Sequence, residues 1–501
     1  MTLSHDGLLG VDGGAYLVGV NAVLGDEPTG AGFPRPPLAP GWLLVPFVNY
    51  LGMDVGYKVW SSIGSVLPAI PVYLLARRIG SSSTHRGFPP SPRPPSPAIF
   101  ASGFLLLDLL HAEMIVTGAL PLIAFALLAM VWWAMGELSE RWSLTSAVIL
   151  VICLGLIPWV NQTTAGLALV TIPVYGIALV GFKAKKTWDS QQITGFIRYE
   201  DHLLSVIPRI GFPLAAGGLI ALCALPWYLQ VLPGTGLLNY PGPFMYLSPW
   251  NDSSWVQIAV AAPLGIYTIW RAKEPWLRAI GVLILLLAAL LPWLSTDETV
   301  INIFYRSRYL LAIPFFTAIS WCVFVRWLPS MPPWGKTLAF GLTLSAIAVM
   351  SAGYWFQFNN QAKYSDMVTH ETEEALEIAR ASGDGKAIIN NSFTLALWVS
   401  AINKVESPHT WTWKPPSHWT QTDKDVRCVL GWRPECDVAD SVHSLNAGWI
   451  LIEHRFPYYN LRAPGVYGAL NVPEPWASLP TTPWIELVYS KGTTDLYRIS
   501  H

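Results

Sequence analysis

The sequence predicts an α-helical polytopic membrane protein of about ten spans, with a small α/β domain at its C-terminal end on the non-cytoplasmic side. Three observations predict it. Charged residues are only 13% of the 501 and hydrophobic residues 52%, with a mean hydropathy of +0.40, far from the balance of a water-soluble domain. Apolar runs near the spanning length recur through the first two thirds of the chain. After residue 357 the composition turns to that of a soluble domain.

The runs read as spans lie at 55–78, 98–113, 117–135, 143–158, 164–182, 204–228, 255–271, 277–294, 304–325 and 336–356. Alternate connections between them divide sharply by charge. One set holds Arg77, Arg78, Arg86 and Arg93, then Arg141, then Lys183, Lys185, Lys186, Arg198 and Arg209, then Arg271, Lys273 and Arg278, then Arg326 and Lys336. The connections of the other set hold only Arg306 and Arg308. Basic residues collect on the cytoplasmic side of a membrane protein, so residues 1–54 and 357–501 are placed outside, in a multi-pass protein of the plasma membrane. Three units follow: a first outer loop (1–54), a transmembrane domain (55–356) and an extracytoplasmic domain (357–501).

The net charge of −1 carries no information by itself, and no basic tail or basic–aromatic patch points to a nucleic-acid partner. The bilayer is the expected partner throughout. The 81–97 connection, rich in Pro and Ser, is read as an extended linker. Gly14–Leu24 and Pro37–Leu51 in the first outer loop read as short amphipathic stretches lying along the interface. No apolar segment precedes residue 12, so a preceding span, or a partner that supplies it, is expected.

In the C-terminal domain a helix is expected at Glu371–Ala381 and strands at Lys386–Asn390 and Trp449–Glu453. A hairpin, Trp484–Tyr489 with Thr494–Ile499, turns at Lys491-Gly492. Cys153, Cys223 and Cys322 lie in apolar runs as small hydrophobes. Cys428 and Cys436 share a polar segment without a zinc-site pattern, and a local disulfide in an oxidising compartment is expected of them. Asn161, Asn251 and Asn390 each begin an Asn-X-Ser/Thr triplet on the outer side, a pattern that chance also produces.

Val11-Asp-Gly-Gly-Ala-Tyr-Leu17, then Arg35-Pro-Pro-Leu-Ala-Pro-Gly-Trp-Leu43, then Gly52-Met-Asp-Val-Gly-Tyr57 lead into a span ending Leu74-Leu-Ala-Arg-Arg78. In that order these stretches resemble the start of a GT-C glycosyltransferase, the superfamily of the protein O-mannosyltransferases, the aminoarabinose transferase of lipid A and the oligosaccharyltransferase catalytic subunit. The resemblance is best over the first ~130 residues and is carried by the order of features more than by any single motif. It implies an inverting transfer of a sugar from a polyprenyl-phosphate donor to a protein, lipid or glycan acceptor outside the cytoplasm.

Carried over residue by residue, Asp12 matches the loop acid that takes the proton from an acceptor hydroxyl, a chemistry that needs a base because a neutral hydroxyl is a poor nucleophile. The plainer role of Asp12 is to cap the helix beginning near Gly14, and the two are compatible. Asp6 is a second acid without the Gly-Gly-Ala-Tyr context. Tyr16 and Arg35, inside the matching stretches, are further candidates for binding substrate. The second outer turn offers Glu113 as a catalytic candidate and His111 as a binding one, with Asp108 a turn deeper; the alternative is an interfacial turn whose polar groups reach water. No cofactor is expected. A divalent metal is left open, since one branch of the superfamily uses it, but the two-carboxylate spacing of that branch is absent here.

Asp297 and Glu298 precede Ile303-Phe-Tyr-Arg-Ser-Arg308, and the resemblance implies an arginine near this point that grips the lipid phosphate. Two residues apart on a helix, Arg306 and Arg308 point about 200° from each other, so one of them faces the cavity, and Arg308 is preferred. Otherwise both snorkel to the outer headgroups. Two rival functions remain open: a non-catalytic assembly or scaffold subunit of the same fold, and a transporter. The transporter lacks the paired, broken, similar halves that it would usually show.

Overall fold

The computed structural model describes residues 8–9, 13–25, 38–81, 119–194, 199–226, 262–263, 265–289, 333–334, 337, 366–391, 393–408, 420–431, 436–454, 479 and 482–500. Strand β1 (Leu8–Leu9) and helices α1 (Gly13–Val23) and α2 (Leu38–Leu51) come first. The membrane bundle follows: α3 (Met53–Val66), α4 (Ala69–Ser81), α5 (Ala119–Glu140), α6 (Leu144–Val160), α7 (Gln162–Thr194), α8 (Tyr199–Leu222) and α9 (Pro275–Ala289). The C-terminal region runs β2 (Asp366–Val368), α10 (His370–Ala381), β3 (Ala387–Asn390), α11 (Phe393–Asn403), α12 (Gln421–Val429), α13 (Val438–Ser444), β4 (Ala447–Glu453), β5 (Ile485–Lys491) and β6 (Thr494–Ile499).

Among the described residues three helices are long and apolar enough to cross a membrane: Met53–Arg78, Leu122–Glu140 and Thr164–Trp188. Gly41–Leu51, Leu144–Val160, Val206–Leu222 and Pro275–Leu286 are shorter apolar helices. The expected spans at 98–113 and 304–325, that at 336–356 except residue 337, and about half of that at 255–271 lie outside the described residues, so the structure does not carry the count to ten.

Helix ends differ from the hydropathy reading for identifiable reasons. The first span is interrupted at Leu67-Pro68, where proline has no N–H to continue the ladder. Helix α5 runs past 135 to Glu140 because Glu137 and Glu140 have a cation, Arg78, to meet. Helix α6 starts where the Ser143 hydroxyl accepts from the Ser146 N–H. A single residue, Asn161, separates α6 from α7, and its Oδ1 accepts from the Thr164 N–H at 2.9 Å. Asn161 is thus a helix cap, and Asn390 is a buried strand residue whose side chain donates to Ser407 at 2.8 Å, so both triplets have structural uses.

Close helix contacts sit at glycines, as expected where lipid gives no hydrophobic drive and backbones must approach. A Cβ on Gly155 of α6 would meet Ile220 of α8 at 2.7 Å, and one on Gly281 of α9 would meet the Gly265 carbonyl at 2.9 Å. The bundle core that results includes Leu75, Phe125, Trp132, Leu150, Tyr175, Trp276 and Ile280.

The C-terminal sheet has the order β3-β4-β6-β5, with β3 parallel to β4 and the other pairs antiparallel. All seven residues of β4 are buried, which is why Trp449-Ile-Leu-Ile452 reads as a continuous apolar run. Its side chains alternate between two cores. Trp449 and Leu451 face the layer of α10 and α11, whereas Ile450 and Ile452 face the layer of α12 and α13. The predicted helix and hairpin are present, the latter turning through Gly492 at φ 58°. Cys428 and Cys436 form the expected disulfide, tying the end of α12 to the start of α13. Cys153 is buried, Cys223 is exposed and Cys322 lies outside the described residues.

The N-terminal region departs from the expectation of two amphipathic helices lying along the interface, for α1 packs into a core with Leu17, Gly19, Val20 and Asn21 buried. Helices α1 and α2 form as read, but α2 is not amphipathic: its exposed side carries Trp42, Leu43, Tyr50 and Leu51, and it buries Gly41 and Leu44. A helix apolar on both sides suits a position between protein and lipid.

Candidate functional site

One end of the bundle and the C-terminal domain meet around α1. Leu17 and Val20 of α1, Leu44 of α2, Tyr57 and Trp60 of α3, Ala124 of α5 and Val160 of α6 form one core with Leu395, Trp398 and Val399 of α11. The buried Asn21 donates its side-chain N–H to the Ala401 carbonyl at 3.0 Å, across 380 residues of chain. Strand β1 pairs antiparallel with β2 immediately before α10. These contacts put β1, α1 and α2 on the same side of the bundle as β2, α10 and α11.

The described parts of the three stretches that carry the superfamily resemblance lie on α1, α2 and α3, which pack together here. A Cβ on Gly41 would lie 2.6 Å from the Gly19 carbonyl oxygen, so α1 and α2 cross with backbones in contact. A Cβ on Gly56 would lie 2.5 Å from the Phe47 carbonyl oxygen, so α2 and α3 do the same. Tyr57 then stacks edge-on against Trp398 at 5.2 Å, with Trp60 on its other flank at 6.1 Å. The glycines let three short helices nest, and the aromatic residues fix that nest to the C-terminal domain.

A charged rim borders this core. Asp54 and Lys58, four residues apart on α3, are paired at 3.0 Å. Across from them on α10, burial first and then the Asp54 charge push the Glu373 carboxyl above its ordinary value. Glu374 accepts from Tyr489 at 2.7 Å and from Lys491 at 2.9 Å, and the Tyr489 hydrogen bond is the main reason its carboxyl is held below the usual range. Deeper in the domain, Glu453 is fully buried and accepts from Thr494 at 3.0 Å and Thr372 at 3.3 Å. The sequence reading passed over Asn21, Trp398 and the Asp54–Lys58 pair. Only the last had a local signal, opposite charges at helical spacing beside a span.

Of the sequence-derived site residues, Tyr16 belongs to α1, with its side chain outside the described residues. Asp12 directly precedes that helix in sequence. Asp12, Asp6, Arg35, Asp108, His111, Glu113, Asp297, Glu298, Arg306 and Arg308 all lie outside the described residues. Among the described residues no group of three or more His, Cys, Asp or Glu side chains is placed to hold a metal ion.

The chain has the fold of the GT-C membrane glycosyltransferases. It is similar to ArnT from Cupriavidus metallidurans bound to undecaprenyl phosphate, with 14% identity and a TM-score of 0.54, covering 99% of this chain and 95% of that one. It is similar to the oligosaccharyltransferase AglB from Archaeoglobus fulgidus in complex with an inhibitory peptide and a dolichol-phosphate, at 13% identity and a TM-score of 0.52, over 91% of this chain and 67% of that one. It also matches the arabinofuranosyltransferase AftD from Mycobacteria, at 13% identity and a TM-score of 0.56, spanning 39% of that longer chain. No protein-family model matches the chain, and no characterised protein matches it by sequence.

Proposed function

We propose that the protein is a glycosyltransferase that moves a sugar from a polyprenyl-phosphate donor to an acceptor on the extracytoplasmic face, with inversion at the anomeric carbon. The observation that carries this reading is that the chain overlays nearly the whole length of ArnT bound to undecaprenyl phosphate. The nest of α1, α2 and α3 against the C-terminal domain supports it, since it fixes the helix that Asp12 directly precedes in sequence. In this reading the sidedness set by the basic residues puts that nest outside. The Cys428–Cys436 bridge agrees with an oxidising compartment.

Asp12 is the base that takes the proton from the acceptor hydroxyl, with Glu113 the second acid of the site. Arg308, with Arg306 beside it, holds the lipid phosphate and stabilises the charge left as the sugar departs. Tyr16, Arg35 and His111 contact the donor. If the site takes a divalent metal, His111 and Glu113 are its first candidates. Replacing Asp12 by Asn is expected to lower transfer from a polyprenyl-phosphate sugar by about 10² to 10⁴-fold while the melting temperature stays within a degree or so. An unchanged rate would leave the scaffold reading in its place.

A further inference from the structure

A crevice of about 490 Å³ runs along the lipid-facing surface between α7 and α9, lined by Val174, Ile177, Ala178, Gly181, Phe182, Lys185 and Val282. The α7 residues fall at i, i+3, i+4, i+7, i+8 and i+11, so they form one continuous stripe of the helix. From Val174 to Lys185 the stripe rises about 16 Å at 1.5 Å per residue, close to half the ~30 Å hydrocarbon thickness. Its apolar part, Val174 to Phe182, covers about 12 Å of that rise, most of one leaflet's acyl region, and its end carries Lys185. Arg278 of α9 flanks the same end, with its guanidinium carbon 5.8 Å from the Phe182 ring and its Nε donating to the Ala272 carbonyl at 2.6 Å. Arg278 and Val282 are one turn apart, so α9 repeats the order of α7: cation at the mouth, apolar group within. The exposed Trp188, one turn beyond Lys185, marks the interfacial depth.

We infer that this crevice is a binding site for an anionic phospholipid of the surrounding bilayer, one acyl chain lying along Val174–Phe182 and the headgroup phosphate between Lys185 and Arg278. Charge complementarity selects the occupant, since paired basic groups over an apolar crevice between spans match a negatively charged headgroup and not a zwitterionic one. The site lies at the basic end of the bundle, away from the junction of α1 with the C-terminal domain. Its occupancy is independent of sugar transfer.

The test uses the full-length protein purified in neutral detergent, with dioleoyl-phosphatidylglycerol or dioleoyl-phosphatidylcholine added, followed by thermal melting and native mass spectrometry. Phosphatidylglycerol is expected to raise the melting temperature more than phosphatidylcholine and to remain as bound adducts. Lys185→Gln is expected to weaken the apparent phosphatidylglycerol affinity by about fivefold and to leave the phosphatidylcholine response unchanged. Gly181→Leu is expected to abolish the adduct. A Cβ at Gly181 meets nothing within 4 Å, so a side chain added there enters the crevice without a Cβ clash. Equal responses to the two lipids in the unaltered protein, or an apparent phosphatidylglycerol affinity unchanged by Lys185→Gln, would overturn the inference whether or not Gly181→Leu folds.

Discussion

The two ends of the first span are held by opposite means. At its N-terminal end α3 nests against α2 through Gly56 and against the C-terminal domain through the Tyr57–Trp398 contact, and the closest approaches are to backbone atoms. At the other end α4 is fastened by charge. Arg78 reaches Glu137 at 3.4 Å and Glu140 at 2.8 Å, donates to the Gly136 carbonyl at 3.1 Å and lies 4.5 Å over the Trp276 ring. Lys183 and Arg209 extend the same charged neighbourhood. The N-terminal end joins two parts of the molecule by shape, which tolerates no added volume. The C-terminal end joins α4, α5 and α9 by a cation that costs free energy to place near the membrane unless its partners are present.

The sharpest way to break this contrast is to add volume at the N-terminal end. Gly56→Leu forces α2 and α3 apart, because the clash is with a backbone carbonyl and not with a side chain that can turn away. A loss of about 3 kcal/mol is expected, with the C-terminal domain becoming sensitive to limited proteolysis. The next effect belongs to the Arg78 end. Arg78→Ala leaves Glu137 and Glu140 without this cation, and a loss of about 2 kcal/mol is expected because Glu140 is half exposed. Arg78→Ala combined with Glu137→Gln should recover part of that loss in a melt. If the single and double variants melt alike, charge is not what holds this end.

The smallest effect tests the rim between the two domains. Glu373 has its carboxyl raised from an ordinary value of 4.5, mainly by burial and then by Asp54. Ionising it costs the folded state, so its penalty is absent below the free value and grows as pH rises through the raised one. Glu373→Gln should therefore match the parent at low pH and melt slightly higher above that window, by less than about 1 kcal/mol for a partly exposed group. A difference that does not change with pH would assign the effect to packing.

Local chemistry made much of this molecule legible. Periodicity and composition located the helices of the bundle, though not their ends, and placed the β4 run and the β5–β6 hairpin within a residue or two, since burial on one or both faces writes itself into the order of apolar side chains. The Cys428–Cys436 bridge followed from spacing and polarity. The superfamily resemblance rested on three separated stretches, and the fold accounts for two of its residues physically: Gly41 and Gly56 are where helix backbones touch. Asn21 and Trp398 were not legible, because what makes each matter is a partner more than 340 positions away. The same holds for the lipid crevice. Its stripe on α7 is a sequence pattern, but Val282 and Arg278 complete it only once α9 lies alongside. The sequence by itself determined where apolar surface and charge had to go, since transfer free energies act residue by residue. Which glycine meets which carbonyl, and which cation meets which crevice, was decided by tertiary packing, because those are relations between elements that no local pattern encodes.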